Sequence, residues 1–130
     1  MKVLGFLYKG RERRLAKRHT VRWDAFLEVR FPDFHDQIPV EVVNFSAGGA
    51  LLHSEQLTVD NRHLVIAETK PELTLKISLP ERVLELTSRI EWYEVLDEKS
   101  IFEIGTSFVD FKNEANISVD ELIKIMGADK

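Results

Sequence analysis

The sequence predicts a mainly β fold: about six short antiparallel strands making a small barrel, followed by one C-terminal α-helix. Three observations predict it. Apolar residues recur with a period of two in one segment after another. Turn residues separate those segments at short intervals. Only the tail from Asn116 switches to a helical pattern. Many short strands joined by turns favour a barrel over layered helices and sheets.

Each element follows in order. Residues 1–10, MKVLGFLYKG, are ambiguous between a short strand and a helical turn. Residues 11–22 read as a polar, basic arm. The domain division sets residues 1–16 apart as the N-terminal arm and 17–130 as a single domain. In FLEVRF, Leu27, Val29 and Phe31 alternate with Phe26, Glu28 and Arg30, which predicts a strand until Pro32 and Asp33 break it. IPVEVVNF at 38–45 is rich in β-branched residues and reads as the second strand. SAGG is a turn and ALLHS at 50–54 the third strand. Residues 55–72 are loop-like, with HLVIA at 63–67 a possible short strand. LTLKISL at 73–79 alternates again. Pro80 and Glu81 turn the chain into a long strand at 83–95, whose length predicts a bend or bulge. After DEKS, FEIGTSFVDF at 102–111 is the last strand, with Gly105 marking a bulge or a close backbone approach. Ser118 followed by Glu121 is a capping box, Leu122, Ile125 and Met126 share a helical face, and Gly127 ends the helix.

Composition narrows the function. At 44% hydrophobic and 31% charged residues, the chain belongs with soluble globular proteins and not with disordered ones. It has no cysteine, which removes disulfides, thiolate metal sites and cysteine nucleophiles. The N-terminus lacks the apolar run and cleavage site of a signal peptide. No stretch approaches the roughly 20 apolar residues of a membrane helix, so no membrane insertion is expected. His19, His35, His53 and His63 have no metal-ligand spacing, and no metal is expected. No nucleophile elbow or phosphate loop is present, so the chain is not read as an enzyme. Trp23 and Trp92 read as core or rim packing, and Glu41 and Glu85 as solvent-facing strand positions.

Charge is unevenly spread. The net charge is -4, yet residues 9–22 carry Lys9, Arg11, Arg13, Arg14, Lys17, Arg18 and Arg22 against Glu12 alone, a net of +6 that leaves -10 on the rest. One basic arm on an acidic body points to a local anion site. It disfavours an extended nucleic-acid track.

Two segments carry the chemistry. In KRHTVRW, Arg18 and Arg22 are separated by three residues. In NFSAGG, Asn44, Ser46 and Gly49 have the spacing Asn-x-Ser-x-x-Gly. An arginine fork donates two parallel hydrogen bonds to a phosphate or to the Hoogsteen edge of guanine. The Asn44 carbonyl can accept from the guanine Watson–Crick edge, and Ser46 offers a hydroxyl. Gly48 and Gly49 permit close approach and positive φ. A ligand with guanine bases and phosphates together suits this set.

Arm and turn together resemble the PilZ domain, whose hallmark is Arg-x-x-x-Arg ahead of the first barrel strand, then Asp/Asn-x-Ser-x-x-Gly after the second. VVNFSAGGALL, RIEWYE and IGTSFVDF also look like that family, and the resemblance runs over about residues 17–125. It implies a six-stranded antiparallel PilZ-type β-barrel with a C-terminal α-helix. It also implies a cytoplasmic receptor, monomer or homodimer, that binds the bacterial second messenger cyclic di-GMP and relays it to an effector protein, in processes such as motility or biofilm formation. No other cofactor is implied. A ligand-independent PilZ-like interaction adaptor is the alternative. The implied ligand residues are Lys17, Arg18, Arg22, Asn44, Ser46, Gly48 and Gly49. Arg14 with Arg18 also satisfies the arginine spacing. Arg18 with Arg22 is preferred because Phe26 follows Arg22 closely. In the family, the residue before the first arginine bears on whether one ligand or a stacked pair binds. Lys17 stands there, which leaves both stoichiometries open and Arg13 or Arg14 as possible additional contacts.

Overall fold

The first strand sets the frame. In the computed structural model, which describes residues 17–66, 69–96 and 100–128, β1 spans His19–Arg30. Val21, Trp23, Ala25, Leu27 and Val29 point inward and are buried, while Arg22, Asp24, Phe26 and Arg30 face solvent. The strand therefore starts seven residues before the expected Phe26, inside the segment read as arm. The charges of Arg22 and Asp24 disguise the alternation, but they occupy the wet face of a strand solvated on one side, where charge is at home.

The remaining strands are β2 (His35–Phe45), β3 (Gly49–Ser54), β4 (Thr58–Val59), β5 (Arg62–His63), β6 (Glu72–Ser78), β7 (Val83–Leu96) and β8 (Ile101–Phe108). Six of them close into an antiparallel barrel in the order β1-β2-β3-β8-β7-β6. Where the β6 ladders run, along Phe26–Arg30 of β1 and Val83–Ser88 of β7, closure leaves no free sheet edge. β4 and β5 form a separate hairpin. Its turn residues, Asp60 (φ 53°) and Asn61 (φ 64°), both take the left-handed conformation that these two residue types tolerate. That turn moves the strand away from the expected 63–67, of which His63 alone lies in β5.

The barrel interior is filled by large apolar side chains such as Leu27, Ile38, Leu52, Leu75, Leu84, Leu86 and Ile104. One end is closed by aromatics. The Phe45 ring lies 5.2 Å from Trp23, 5.3 Å from Phe108 and 5.9 Å from Phe111. Two helices cover that end, not the single one expected. The first, α1 (Phe111–Ala115), is one turn long, too short to leave a periodic signal. Asp110 caps its start, and Asn116, at φ 55°, ends it in the left-handed conformation. The second, α2 (Val119–Met126), starts as the capping motif predicts: Ser118 Oγ accepts from Glu121 N at 3.1 Å. Leu122 is its fully buried anchor. Its far end is tied to the barrel, because Trp23 Nε1 donates to the Gly127 carbonyl at 2.8 Å.

At the other end, Arg62 donates two hydrogen bonds to Asp33, at 2.7 and 2.6 Å. Its guanidinium also lies 5.1 Å from the Phe31 ring centre and 4.9 Å from that of Phe34. This ties the β1–β2 turn to the β4–β5 hairpin. The hydrogen-bonded guanidinium holds the Asp33 carboxyl below its ordinary value. A depressed native value means that the contribution to stability is present above the unfolded value and lost as pH falls through the native one.

Two outcomes follow. Phe45→Ala should destabilise the fold by about 3–5 kcal/mol, read by denaturant unfolding, because it empties the centre of the aromatic seal. Arg62→Ala should move the Asp33 carboxyl titration, followed by NMR, up toward the ordinary aspartate value. No upward movement would show that the guanidinium does not depress it.

Candidate functional site

The NFSAGG turn joins β2 to β3 at the sealed end of the barrel. It is braced from within. Ser46 N donates to the Gly49 carbonyl at 2.9 Å, while Ser46 Oγ accepts from Gly48 N at 3.1 Å and Gly49 N at 3.3 Å. The hydroxyl also lies 3.4 Å from the Gly49 carbonyl as a donor, and Ser46 is 1% exposed. The sequence reading offers this hydroxyl to a ligand; the structure uses it to shape the turn.

The glycines act through proximity. A Cβ on Gly49 would lie 2.0 Å from the Thr106 carbonyl oxygen, so β3 runs against β8 as only glycine allows. The Gly48 carbonyl accepts from Phe108 N at 2.9 Å, which fastens the turn to the end of β8. Neither glycine uses the positive φ expected of it; among the described residues Gly127 is the glycine that does.

Asn44 is half-buried. Phe45 points into the aromatic seal, so Asn44, its neighbour in the pleat, faces outward. It pairs with Thr20 on β1 and Leu51 on β3; Leu51 pairs with Gly105 on β8, and Gly105 with Trp92 on β7. A row Thr20–Asn44–Leu51–Gly105–Trp92 thus crosses five neighbouring strands. Three irregularities adjoin it, between Thr20 and Trp23, Val42 and Asn44, and Ile90 and Trp92. Bulges re-aim side chains and are common at barrel rims and functional sites. The long β7 carries one, as its length predicts.

The two arginines meet this row from β1. Arg18 is half-buried immediately ahead of the strand, and Arg22 is exposed. They flank Thr20, the partner of Asn44, by two residues on either side. Arg22 belongs to the barrel wall and not to a pliable arm. Its Nε lies 3.7 Å from Glu41 Oε2. Lys17 is exposed beside Arg18; Arg13 and Arg14, and with them the Arg14–Arg18 alternative, lie outside the described residues.

Trp92, expected as core or rim packing, is buried at 7% exposed but lies outside the main core cluster, its indole against Gly105, where an added Cβ would come within 2.4 Å of the ring. Trp23, by contrast, is core. Below the Asn44 row runs a second one, Asp24–Glu41–His53–Glu103–Glu94, on the same five strands. His53 Nε2 lies 3.2 Å from Glu103 Oε2. Neither row has a local signal, because each is assembled from five separate segments. The acidic row borders an open cleft of about 350 Å³ lined by Asp24, Glu41, His53 and Glu55. A cleft of about 450 Å³ at the opposite end is lined by Arg30, Asp33, His35, Lys70 and Glu72. Neither of these two clefts is lined by the NFSAGG turn. Among the described residues no group of three or more acidic or histidine side chains is arranged to hold a metal ion, and no helix is long and apolar enough to cross a membrane.

No family model matches the sequence, and no curated protein matches it. The solved structures include a match over 87% of this chain and 86% of the other, with a TM-score of 0.51 and 13% sequence identity: the PilZ domain with c-di-GMP of YcgR from Escherichia coli. The fold is PilZ-like. At 13% identity the likeness is one of fold, and it agrees with the closed six-stranded barrel traced above.

Gly49→Ala tests how tightly this PilZ-like turn is built. The added methyl meets backbone, which cannot rotate away, so a loss of about 1–3 kcal/mol is expected in chemical denaturation. A neutral result would mean that β3 and β8 separate at little cost.

Proposed function

We propose that the protein binds cyclic di-GMP on the outer wall of the barrel, at Arg18, Arg22 and Asn44, with the Ser46–Gly49 turn holding that surface in shape. The observation that carries this reading is the register of β1 and β2. It sets two arginines on either side of the residue paired with Asn44, although the two motifs lie far apart in the chain.

The chemistry divides among these groups. Arg18 and Arg22 donate to a phosphate or to the Hoogsteen edge of a guanine, and a bidentate guanine contact is worth roughly 1–3 kcal/mol of base discrimination. The Asn44 side-chain carbonyl accepts from the guanine N–H groups. Arg22 exchanges the Glu41 carboxylate for the ligand. The exchange costs little, because an exposed ion pair contributes only about 0–1 kcal/mol. The acidic row below repels a dianion and so confines it to the arginine side. The surface changed by the bound ligand is then read by a partner protein. The role is binding and relay, not catalysis. The PilZ domain of YcgR, solved with c-di-GMP, supports this reading through its fold.

Isothermal titration tests it. Cyclic di-GMP should bind in preference to GTP and cyclic GMP. Arg22→Ala and Asn44→Ala should each weaken binding about ten-fold or more without lowering the melting temperature. Absence of heat at high micromolar cyclic di-GMP would defeat the reading and leave the ligand-independent adaptor in its place.

A further inference from the structure

We propose that Arg89 is a third arginine of the site, holding a phosphate of the ligand from the β7 side. This rests on the cyclic di-GMP reading and adds a contact that lies in neither sequence motif.

Register places it. Arg89 pairs with Ser107 on β8, and Ser107 pairs with Gly49 on β3. Arg89 is therefore in line with the last residue of the NFSAGG turn, two strand spacings away, or about 10 Å. Its neighbours face inward: Ser88 is buried, and Ile90 packs against the core. Arg89 accordingly stands on the outer face, exposed, three residues ahead of Trp92.

Its charge is uncommitted. Arg22 pairs with Glu41, Arg30 with Glu28 and Arg62 with Asp33, while Arg82 donates to the Ala115 carbonyl. Arg18 also makes contacts. Among the described residues, Arg89 is the arginine with no ion pair or hydrogen bond. Glu91, the acid two residues along, accepts instead from Ser107 Oγ at 2.6 Å. All five guanidinium donors of Arg89 are available to an anion.

The chemistry of the ligand supplies the reason for a cation there. Cyclic di-GMP carries two phosphodiesters on opposite sides of its macrocycle. Arg18 and Arg22 approach from β1 and serve one of them. In the closed barrel β7 is four strands from β1 by way of β2, β3 and β8, with NFSAGG on that path, and two strands from it by way of β6. Arg89 meets the second phosphate from that side.

The test is a titration of cyclic di-GMP into the wild-type protein, Arg89→Ala, Arg89→Lys and Arg30→Ala. Arg30 is exposed at the far end of β1 and serves as a charge-matched control. Arg89→Ala should weaken binding about ten-fold, with the loss shrinking as salt rises. Arg89→Lys should recover part of it, and Arg30→Ala should stay within about two-fold of wild type. If Arg89→Ala melts early, Arg89→Gln, which keeps the stem, takes its place with the same expected loss. Wild-type affinity in the Arg89 variants, or an equal loss in Arg30→Ala, overturns the proposal. If Arg22→Ala loses binding while Arg89→Ala keeps it, the site stands and the role of Arg89 falls. If the wild-type protein gives no heat, both fall together.

Discussion

β1 carries two ladders, and the barrel depends on that. It pairs with β2 along its length and with β6 from Phe26 to Arg30. The second ladder closes the sheet. Above Phe26, β1 has passed the β6 ladder, and the C-terminal helix is tied to it there through the Trp23–Gly127 hydrogen bond. The same strand therefore closes the barrel with one half and is open to functional use in the other. The irregularity between Thr20 and Trp23 falls in that upper half. Through it the period-two alternation of β1 continues, with Val21 and Trp23 inside and Arg22 out. Buried apolar contact inside the barrel thus fixes where a charged residue stands outside it.

The uneven charge visible in the chain becomes a boundary on the surface. Cations cluster at the Asn44 row, and four carboxylates with His53 occupy the row below. Exposed charges this close act within a Debye length, about 8 Å at physiological salt, so the two rows are not screened from one another. An anion arriving at the wall is drawn to one row and pushed from the next. The Arg22–Glu41 pair spans the boundary, and in the absence of an anion it satisfies both groups at little net energy.

Much of the fold could be read from the chain because its strands are solvated on one face. Period-two alternation marked β6 and the later part of β1, β-branched content marked β2, bracketing turns marked β3, β7 and β8, and the capping motif at Ser118 marked α2. The misses have physical causes. Arg22 and Asp24 hid the start of β1, since charge on an outward position looks like loop in a linear reading. α1 is a single turn held by tertiary contact: Glu114 accepts from Thr87 N at 2.8 Å and from its hydroxyl at 2.5 Å. For the site, the two motifs were legible, yet the rows that bring Trp92, Glu41 and Arg89 to the same wall were not, because rows across five strands are assembled through register, which no single segment displays.

The NFSAGG motif itself reads differently once its atoms are placed. A spacing of Asn-x-Ser-x-x-Gly looks like three ligand contacts, but the hydroxyl is turned inward and Gly49 is held against the Thr106 carbonyl. Two of the three positions fix backbone shape, and one, Asn44, faces outward beside the arginines. Such a division favours affinity, because a surface already held in its binding shape pays little ordering entropy when the ligand arrives. In the proposed site, the residues that would contact cyclic di-GMP and the residues that hold the surface are then separate sets. A substitution in the second set would weaken binding by loosening the wall, with no contact to the ligand lost.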